Sequence, residues 1–137
     1  FDVPISSVHI RGRIDRMEVE GQGVRIIDFK TGKKGNKTGA KKDPDHPQLA
    51  LYQLAVEQLG YEVLGAELKY LGYGDVRTIS QDSLDPETKA DWISQLDEIG
   101  QKMKGPSFIA TPSDEACQYC EFARSCPARE QGKRSVE

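Results

Sequence analysis

The 137-residue sequence has no long hydrophobic run, and nowhere does it approach the roughly 18 apolar residues that a membrane helix requires. No charged and then apolar leader opens it, and it begins on the strand-like Phe1-Asp2-Val3-Pro4 without an initiator Met. These absences argue against a membrane protein or a secretory leader. We expect residues 1–137 to form a single soluble domain that is a piece of a larger protein.

Cysteine is also scarce, and the count of three is odd. A secreted disulfide framework usually has an even number of cysteines spread along the chain, whereas Cys117, Cys120 and Cys126 lie within ten residues. The pattern favours a reducing compartment, the cytoplasm, and a metal or cluster site in the segment 117–126. Three thiols that pack as small apolar side chains are the simpler alternative.

Net positive charge is lacking as well, because 19 basic residues face 22 acidic ones and the net charge is −3. At first this argues against a nucleic-acid partner, but phosphates are met by one face of a protein, so local charge matters more. The stretch 32–47 is rich in Gly, Lys, Asp and Pro and predicts a long loop. Five lysines lie in this loop: Lys33, Lys34, Lys37, Lys41 and Lys42. Most such charge runs are solvated surfaces, and a contact with DNA phosphates is the functional alternative.

The first two predicted strands form a hairpin. Residues 8–17 alternate between apolar and polar side chains, Glu20 to Gly23 supply turn residues, and residues 24–30 are rich in β-branched side chains. Pro47 then begins a predicted helix through Leu59, with Gly60 as its left-handed cap.

Two more strands and a helix follow. Residues 66–71 alternate again, and residues 76–79 predict a short edge strand. Asp85 followed by Pro86 begins a second helix, which Gly105-Pro106 ends. Its predicted apolar face is Trp92, Leu96, Ile99 and Met103. The order β-β-α-β-(β)-α predicts an α/β fold in which helices flank a mixed sheet.

The candidate site lies on the predicted hairpin. Asp28 and Lys30 are two residues apart on one strand, so their side chains share a face, and Asp15 lies almost opposite Asp28 on the neighbouring strand. Two facing carboxylates repel each other unless a cation lies between them, and their oxygens suit Mg²⁺ or Mn²⁺. The lysine would stabilise charge on a phosphate. A surface ion pair is the simpler explanation of Asp-x-Lys alone.

The surrounding strings resemble a known family. Gly12-Arg13-Ile14-Asp15-Arg16, then Asp28-Phe29-Lys30-Thr31-Gly32, then Gln48-x-x-x-Tyr52 occur in this order. They closely resemble the pattern G-x-x-D-R, D-(Y/F)-K-T-G, Q-x-x-x-Y of the RecB-like branch of the PD-(D/E)XK nuclease superfamily. The resemblance covers about Val8 to Cys126 and implies a restriction-endonuclease-like fold.

The resemblance also implies roles for these residues. Asp15, Asp28 and the Phe29 carbonyl would be metal ligands, and Lys30 would be the catalytic lysine. Gln48 and Tyr52, one helical turn apart, would position the lysine and the DNA backbone, although capping and core packing are their ordinary alternatives. We expect Arg16 to make a structural ion pair near the site, and we do not favour His9 or His46 as metal ligands.

The cysteine string C-x2-C-x5-C is similar to one that holds a [4Fe–4S] cluster in this family, as in AddB-type helicase–nucleases; zinc is the alternative. The family's fourth cysteine and a metal-ligating histidine come from upstream of the first strand. We therefore expect the cluster in the intact parent only, and weak metal binding and poor cleavage in this chain.

The resemblance implies a metal-dependent DNA exonuclease of double-strand-break repair and recombination in the bacterial cytoplasm. Its partners would be DNA and a helicase, in the same chain or in a partner subunit. A catalytically silent module that guides single-stranded DNA is the alternative, and the intact set of site residues argues against it. A small iron–sulfur or zinc interaction domain would leave the first half of the chain unexplained.

Overall fold

The computed structural model describes residues 1–31, 39–72, 77–106 and 109–128, and for residues 39 and 40 it describes the backbone. The chain divides into two compact units, Phe1–Gly100 and Gln101–Glu137. Within the described residues, no helix has both the length and the apolar character needed to cross a membrane. The elements in chain order are β1 (Asp2–Ile5), β2 (Val8–Arg11), β3 (Arg16–Glu20), β4 (Gly23–Lys30), β5 (Gly39–Lys42), α1 (Pro47–Gln58), β6 (Glu62–Tyr70), β7 (Arg77–Asp82), α2 (Pro86–Lys104) and α3 (Asp114–Cys117).

Among the residues that the structure describes, the main sheet of the first unit has five strands in the order β3-β4-β6-β7-β5. The pairs β3–β4 and β6–β7 are antiparallel, whereas β4–β6 and β5–β7 are parallel. This mixed sheet with flanking helices confirms the predicted α/β class and is consistent with a restriction-endonuclease-like fold.

The β3–β4 hairpin is confirmed, with Arg16 opposite Ile27 and Glu20 opposite Gly23. Gly21, in the turn, has a φ of +64°, which a residue without Cβ adopts most easily. The single strand predicted over residues 8–17 is wrong, because the extended chain breaks between Arg11 and Arg16 and β2 pairs with β1 instead.

Gly12, which directly follows β2, is in close contact with Phe1. A Cβ built on Gly12 would lie 2.5 Å from Cζ of the Phe1 ring, so the aromatic side chain occupies the space that a side chain would need. The backbone groups of Phe1 and Gly12 also bond to each other. These bonds extend the pairing of β1 with β2, which form a two-stranded sheet of their own.

Two other predictions about strands are wrong. Part of the predicted loop 32–47 is β5, which pairs with β7, and β7 is therefore not an edge strand. Strand β6 also begins earlier than predicted, at Glu62, and β7 continues to Asp82. Cross-strand pairing decides such short segments, which have little periodicity of their own.

Helix α1 agrees with its prediction to within one residue. It begins at Pro47, ends at Gln58 with Leu59 as its C-cap, and is followed by Gly60 at a φ of +91°. Its buried side chains pack on the sheet, where Leu49 and Val56 join Ile26 of β4 and Leu68 of β6 in one apolar cluster.

Helix α2 starts where predicted, and Asp85 Oδ1 accepts a hydrogen bond from the Thr88 N–H at 2.9 Å. Its predicted apolar face is only half correct. Trp92 and Leu96 pack on a second buried cluster together with Ile93, whereas Ile99 and Met103 are exposed.

In the second unit, α3 is a single turn whose N-cap is Ser113, with the side-chain oxygen accepting from the Ala116 N–H at 3.1 Å. Further turns bond Cys120 N–H to Cys117 O and Ala123 N–H to Cys120 O. The cysteine segment is therefore a series of short local turns.

Candidate active site

Asp28 and Lys30 end strand β4 on the face that α1 covers. The Asp28 side chain is only 6% exposed, and its Oδ2 lies 2.5 Å from Lys30 Nζ. Oδ2 has no hydrogen bond of acceptable angle with any group in the described part of the chain. A buried carboxylate oxygen of this kind is costly unless a cation balances it, so the pair is not a surface ion pair on an edge strand.

Helix α1 supplies the other contacts of Asp28. The Tyr52 hydroxyl lies 3.0 Å from Asp28 Oδ1 and 3.1 Å from the Arg13 carbonyl oxygen, and its proton can be donated to either. Gln48 Nε2 donates to the Tyr52 hydroxyl at 2.8 Å and lies 3.5 Å from Asp28 Oδ1. The spacing of four residues therefore points both polar side chains of the helix at one carboxylate.

These contacts change two pKa values. Burial opposes the charged form of Lys30, but the contact with Asp28 and the nearby negative charge outweigh it, so the pKa of Lys30 is raised. Burial also raises the pKa of Tyr52; the hydrogen bond from Gln48 lowers it, and the bond to Asp28 raises it further. At neutral pH the lysine is cationic and the phenol keeps its proton.

Asp15 lies in the bend that precedes β3, so it is exposed and is not on the strand itself. Its Oδ2 accepts a hydrogen bond of 2.9 Å from the Phe29 N–H, the residue between Asp28 and Lys30. Since Arg16 pairs with Ile27, the next position on each strand brings Asp15 beside Asp28. Asp15 and Asp28 therefore lie at the same end of the hairpin.

The other candidate residues have different surroundings. Arg16 pairs with Glu18 at 2.8 Å, and exposed His9 contacts Asp2 at 2.6 Å. His46 is the N-cap residue of α1. Among the loop lysines, Lys41 lies 3.6 Å from Asp43 and Lys42 lies 2.7 Å from Asp82. Outside the described residues lie Lys33, Lys34 and Lys37.

In the second unit, Cys117, Cys120 and Cys126 are partly buried. Counting only residues that the structure describes, no group of three or more His, Cys, Asp or Glu side chains is arranged to hold a metal ion. The three thiols as they lie do not fit a cluster or a zinc ion, and the site on β4 offers two carboxylates with backbone oxygens.

Several contacts of the site involve groups to which the recognised strings assigned no role. The Arg13 carbonyl receives the Tyr52 hydroxyl, and the Phe1 ring packs edge-on against Tyr52 with 6.0 Å between centroids. Gln53 and Gln81 are buried polar residues close to α1. A backbone oxygen has no signal in a sequence, whereas Gln81, a polar residue at an inward position of a strand, could have been noticed.

Comparison with known families agrees with this geometry. Residues 1–127 match the profile of the PD-(D/E)XK nuclease superfamily, which is most of the chain. The chain belongs to the PD-(D/E)XK nuclease superfamily. Asp28-Phe29-Lys30 has the form (D/E)-x-K that gives the superfamily its name, and the nucleases of this superfamily generally use divalent metals such as Mg²⁺. A nuclease domain of this kind would bind DNA.

Two relatives extend the comparison. The chain is 26% identical over 132 residues to the Gene 69 protein of Mycobacterium phage L5, and the match covers 93% of this chain and 42% of that protein. The solved crystal structure of SSO0001 superposes with a TM-score of 0.52 at 18% identity, covering 93% of this chain and 56% of the other. The second likeness concerns the fold. The chain spans about half the length of these two proteins.

Proposed function

We propose that this domain is a Mg²⁺- or Mn²⁺-dependent deoxyribonuclease that hydrolyses phosphodiester bonds. The observation that carries the proposal is the arrangement around Asp28, a buried carboxylate that Lys30, Tyr52 and Gln48 contact from two elements. Ordinary folding does not require a buried aspartate at the end of a strand, but a metal-dependent hydrolase does.

The residues that would hold the cation are Asp15, Asp28 and the Phe29 carbonyl. All are hard oxygen donors, and Asp28 Oδ2 is a buried acceptor that no hydrogen bond uses in the described residues. When bound there, Mg²⁺ or Mn²⁺ would acidify a water molecule and neutralise charge on the phosphate.

In this proposal Lys30 has two alternative partners, the Asp28 carboxylate and a DNA phosphate. It now lies against Asp28 Oδ2, so it must turn away if that oxygen is to bind a cation. Its side chain is 31% exposed, and the freed ammonium can then reach a phosphate oxygen of the DNA. There it would stabilise the negative charge that develops during hydrolysis.

Tyr52 and Gln48 hold Asp28 rather than react. The protonated hydroxyl of Tyr52 donates to one carboxylate oxygen, which orients the other toward the strand end. Gln48 braces this hydroxyl from the first turn of α1. A carboxylate held in one rotamer loses less freedom when it binds a cation, which favours a defined geometry for catalysis.

The finer assignment rests on the order of the three strings. That order, which is G-x-x-D-R, D-F-K-T-G and Q-x-x-x-Y, supports the RecB-like branch. With this branch we propose an exonuclease of bacterial double-strand-break repair and recombination that works beside a helicase in the cytoplasm. We also propose that the basic segment contacts DNA phosphates without sequence preference through Lys33, Lys34, Lys37, Lys41 and Lys42.

The cysteines have no part in the proposed reaction. A [4Fe–4S] cluster in the parent protein would need a fourth ligand besides Cys117, Cys120 and Cys126, and it stays a prediction for that longer protein. Iron and sulfide analysis of the parent beside this chain is the measurement that tests it.

The test of function uses 5′- and 3′-labelled linear DNA and a closed circular control, with an excess of the domain and Mg²⁺, Mn²⁺ or EDTA. We expect cleavage of the linear DNA that requires the metal and is abolished in Asp28→Ala, with DNA binding retained. Cleavage by Asp28→Ala at the wild-type rate would overturn the assignment. DNA binding without any cleavage by the parent protein would favour the silent guide module. Cleavage of the closed circular control would show that the activity is that of an endonuclease.

A further inference from the structure

Two buried amides lie beside α1 and belong to none of the recognised strings. Gln53 of α1 is 0% exposed and Gln81 of β7 is 3% exposed. Gln53 Nε2 donates to Gln81 Oε1 at 2.9 Å and to the Asp82 carbonyl at 3.1 Å, while its Oε1 accepts from the Leu84 N–H at 3.2 Å. Polar side chains so deeply buried are costly unless every group is paired, and these two pair each other.

The Nε2 group of Gln81 contacts the segment that precedes α1. Gln81 Nε2 donates to the Pro44 carbonyl at 2.6 Å and lies 3.4 Å from the His46 carbonyl. His46 is the N-cap residue and Pro47 is the first residue of the helix. A single side chain of β7 therefore holds the backbone immediately before α1.

Helix α1 needs such an anchor because its own N-terminus is poorly capped. The N-cap residue makes no side-chain cap hydrogen bond, and no acidic residue lies in the first turn. Most helices fix their start by one of these two devices. The Gln81 amide cannot cap the first N–H groups, because it is a donor like them, but its bonds to the Pro44 and His46 carbonyls fix the backbone that precedes the helix.

The position of the helix start sets the active site. Gln48 is the second residue of α1, and its amide braces the Tyr52 hydroxyl, which in turn bonds to Asp28. A displacement of about 1 Å at a catalytic group can cost about 10²-fold in rate. A shift of the helix start would be transmitted directly to Gln48, since only one residue separates it from His46.

We propose that Gln81, supported by Gln53, is a positioning residue of the nuclease site, which fixes the start of α1 and thereby the place where Gln48 and Tyr52 meet Asp28. The proposal rests on the proposed function, because the site that it positions is the nuclease site. The competing explanation is that Gln53 and Gln81 stabilise the fold without affecting the site.

The two glutamines separate these explanations. Gln53→Met leaves three groups without their partner: the Leu84 N–H, the Asp82 carbonyl and Gln81 Oε1. Gln81→Met leaves mainly the carbonyl of Pro44, an exposed residue, because the Ala50 N–H still bonds to the His46 carbonyl at 3.1 Å. Gln53→Met should therefore cost more stability, whereas Gln81→Met should disturb the site more.

The experiment compares the loss of stability and the disturbance of the site in Gln53→Met, Gln81→Met and a matched control, Gln58→Met. Gln58 lies exposed on the same helix. Urea denaturation gives the stabilities. The site is read from the ring signal of Tyr52 in ¹³C-tyrosine-labelled protein, assigned with Tyr52→Phe, and from single-turnover cleavage of labelled linear DNA with Mn²⁺.

We expect the denaturation midpoint to fall most in Gln53→Met, and the Tyr52 signal to move most in Gln81→Met. Cleavage at saturating DNA should be about 10- to 100-fold slower in Gln81→Met, with half-saturation unchanged within about twofold. The control should behave as the wild type. If Gln53→Met does not fold, the comparison of Gln81→Met with Gln58→Met decides alone.

The proposal is overturned if the Tyr52 signal is unchanged in Gln81→Met, or if it moves more in Gln53→Met than in Gln81→Met. The Tyr52 signal needs no enzymatic activity. A wild-type protein that does not cleave DNA would therefore contradict the proposed function, while the ring signal would still decide whether Gln81 positions Tyr52.

Discussion

Two strings of the form acid-x-lysine lie side by side in this protein. Asp28-Phe29-Lys30 ends β4, and Glu67-Leu68-Lys69 lies on the adjacent parallel strand β6. The lysines are almost equally exposed, at 31% and 33%. The acids differ, because Asp28 is 6% exposed with its lysine at 2.5 Å, whereas Glu67 is 20% exposed with its lysine at 3.3 Å.

The difference follows from the register of the two strands. Asp28 pairs with Leu68, and Phe29 pairs with Lys69. Because paired residues share a face and neighbours along a strand alternate, Glu67 and Lys69 lie on the face opposite to Asp28 and Lys30. Helix α1 packs on the face that carries Leu68. In the described part of the chain, only the string on β4 therefore receives the polar side chains of α1. The same tripeptide pattern makes a candidate site on one strand and a partly exposed ion pair on the other.

The largest expected effect compares the two lysines. Lys30→Ala should slow DNA cleavage by about 10²- to 10³-fold, because it removes the cation beside the site. Lys69→Ala, which removes an equally exposed lysine on the other face, should change cleavage by less than about twofold. Single-turnover cleavage with Mn²⁺ measures both. Equal losses in the two variants would show that the face of the sheet does not matter.

The second effect concerns the bulge that sets this register. The pairing of β4 with β6 shifts between Val24 and Arg25, and Gly65 at the shift has a φ of +140°. A Cβ there would lie 2.9 Å from the Gln81 carbonyl oxygen. Gly65→Ala should lower the free energy of unfolding by about 1–3 kcal/mol because the new side chain strains this backbone.

Urea denaturation checks the loss, with Gly72→Ala as the control, since a Cβ on Gly72 meets nothing within 4 Å. A Gly65→Ala protein as stable as the wild type would show that the bulge tolerates a side chain and does not hold the register of the two strings.

The smallest effect tests the contact that distinguishes the two acids. Tyr52→Phe keeps the ring but removes the hydroxyl that bonds to Asp28 and to the Arg13 carbonyl. We expect about tenfold slower cleavage and a loss of about 1 kcal/mol in the free energy of unfolding. Tyr61→Phe, at a tyrosine that is 51% exposed, is the matched control and should change neither quantity. An unchanged cleavage rate in Tyr52→Phe would show that α1 supports the site by packing alone.

Elements whose signals are local could be predicted from the amino-acid sequence alone. The turn around Gly21 specified the β3–β4 hairpin, and Pro47 and Gly60 bounded α1, because a turn or a cap depends on a few neighbouring residues. The three motif strings likewise named Asp28, Lys30 and Tyr52 as a set before any contact between them was known.

Features that depend on partners distant in the chain were set by packing and strand pairing. Pairing across the sheet made β5 out of a predicted loop and gave β4 rather than β6 the face under α1. It also brought Gln81 to the start of α1, 37 residues from Pro44, and it left Ile99 exposed on a face predicted to be buried. Burial and register are properties of the packed sheet. A sequence motif can identify a candidate acid and lysine, but whether they form an active site depends on the element that packs against them.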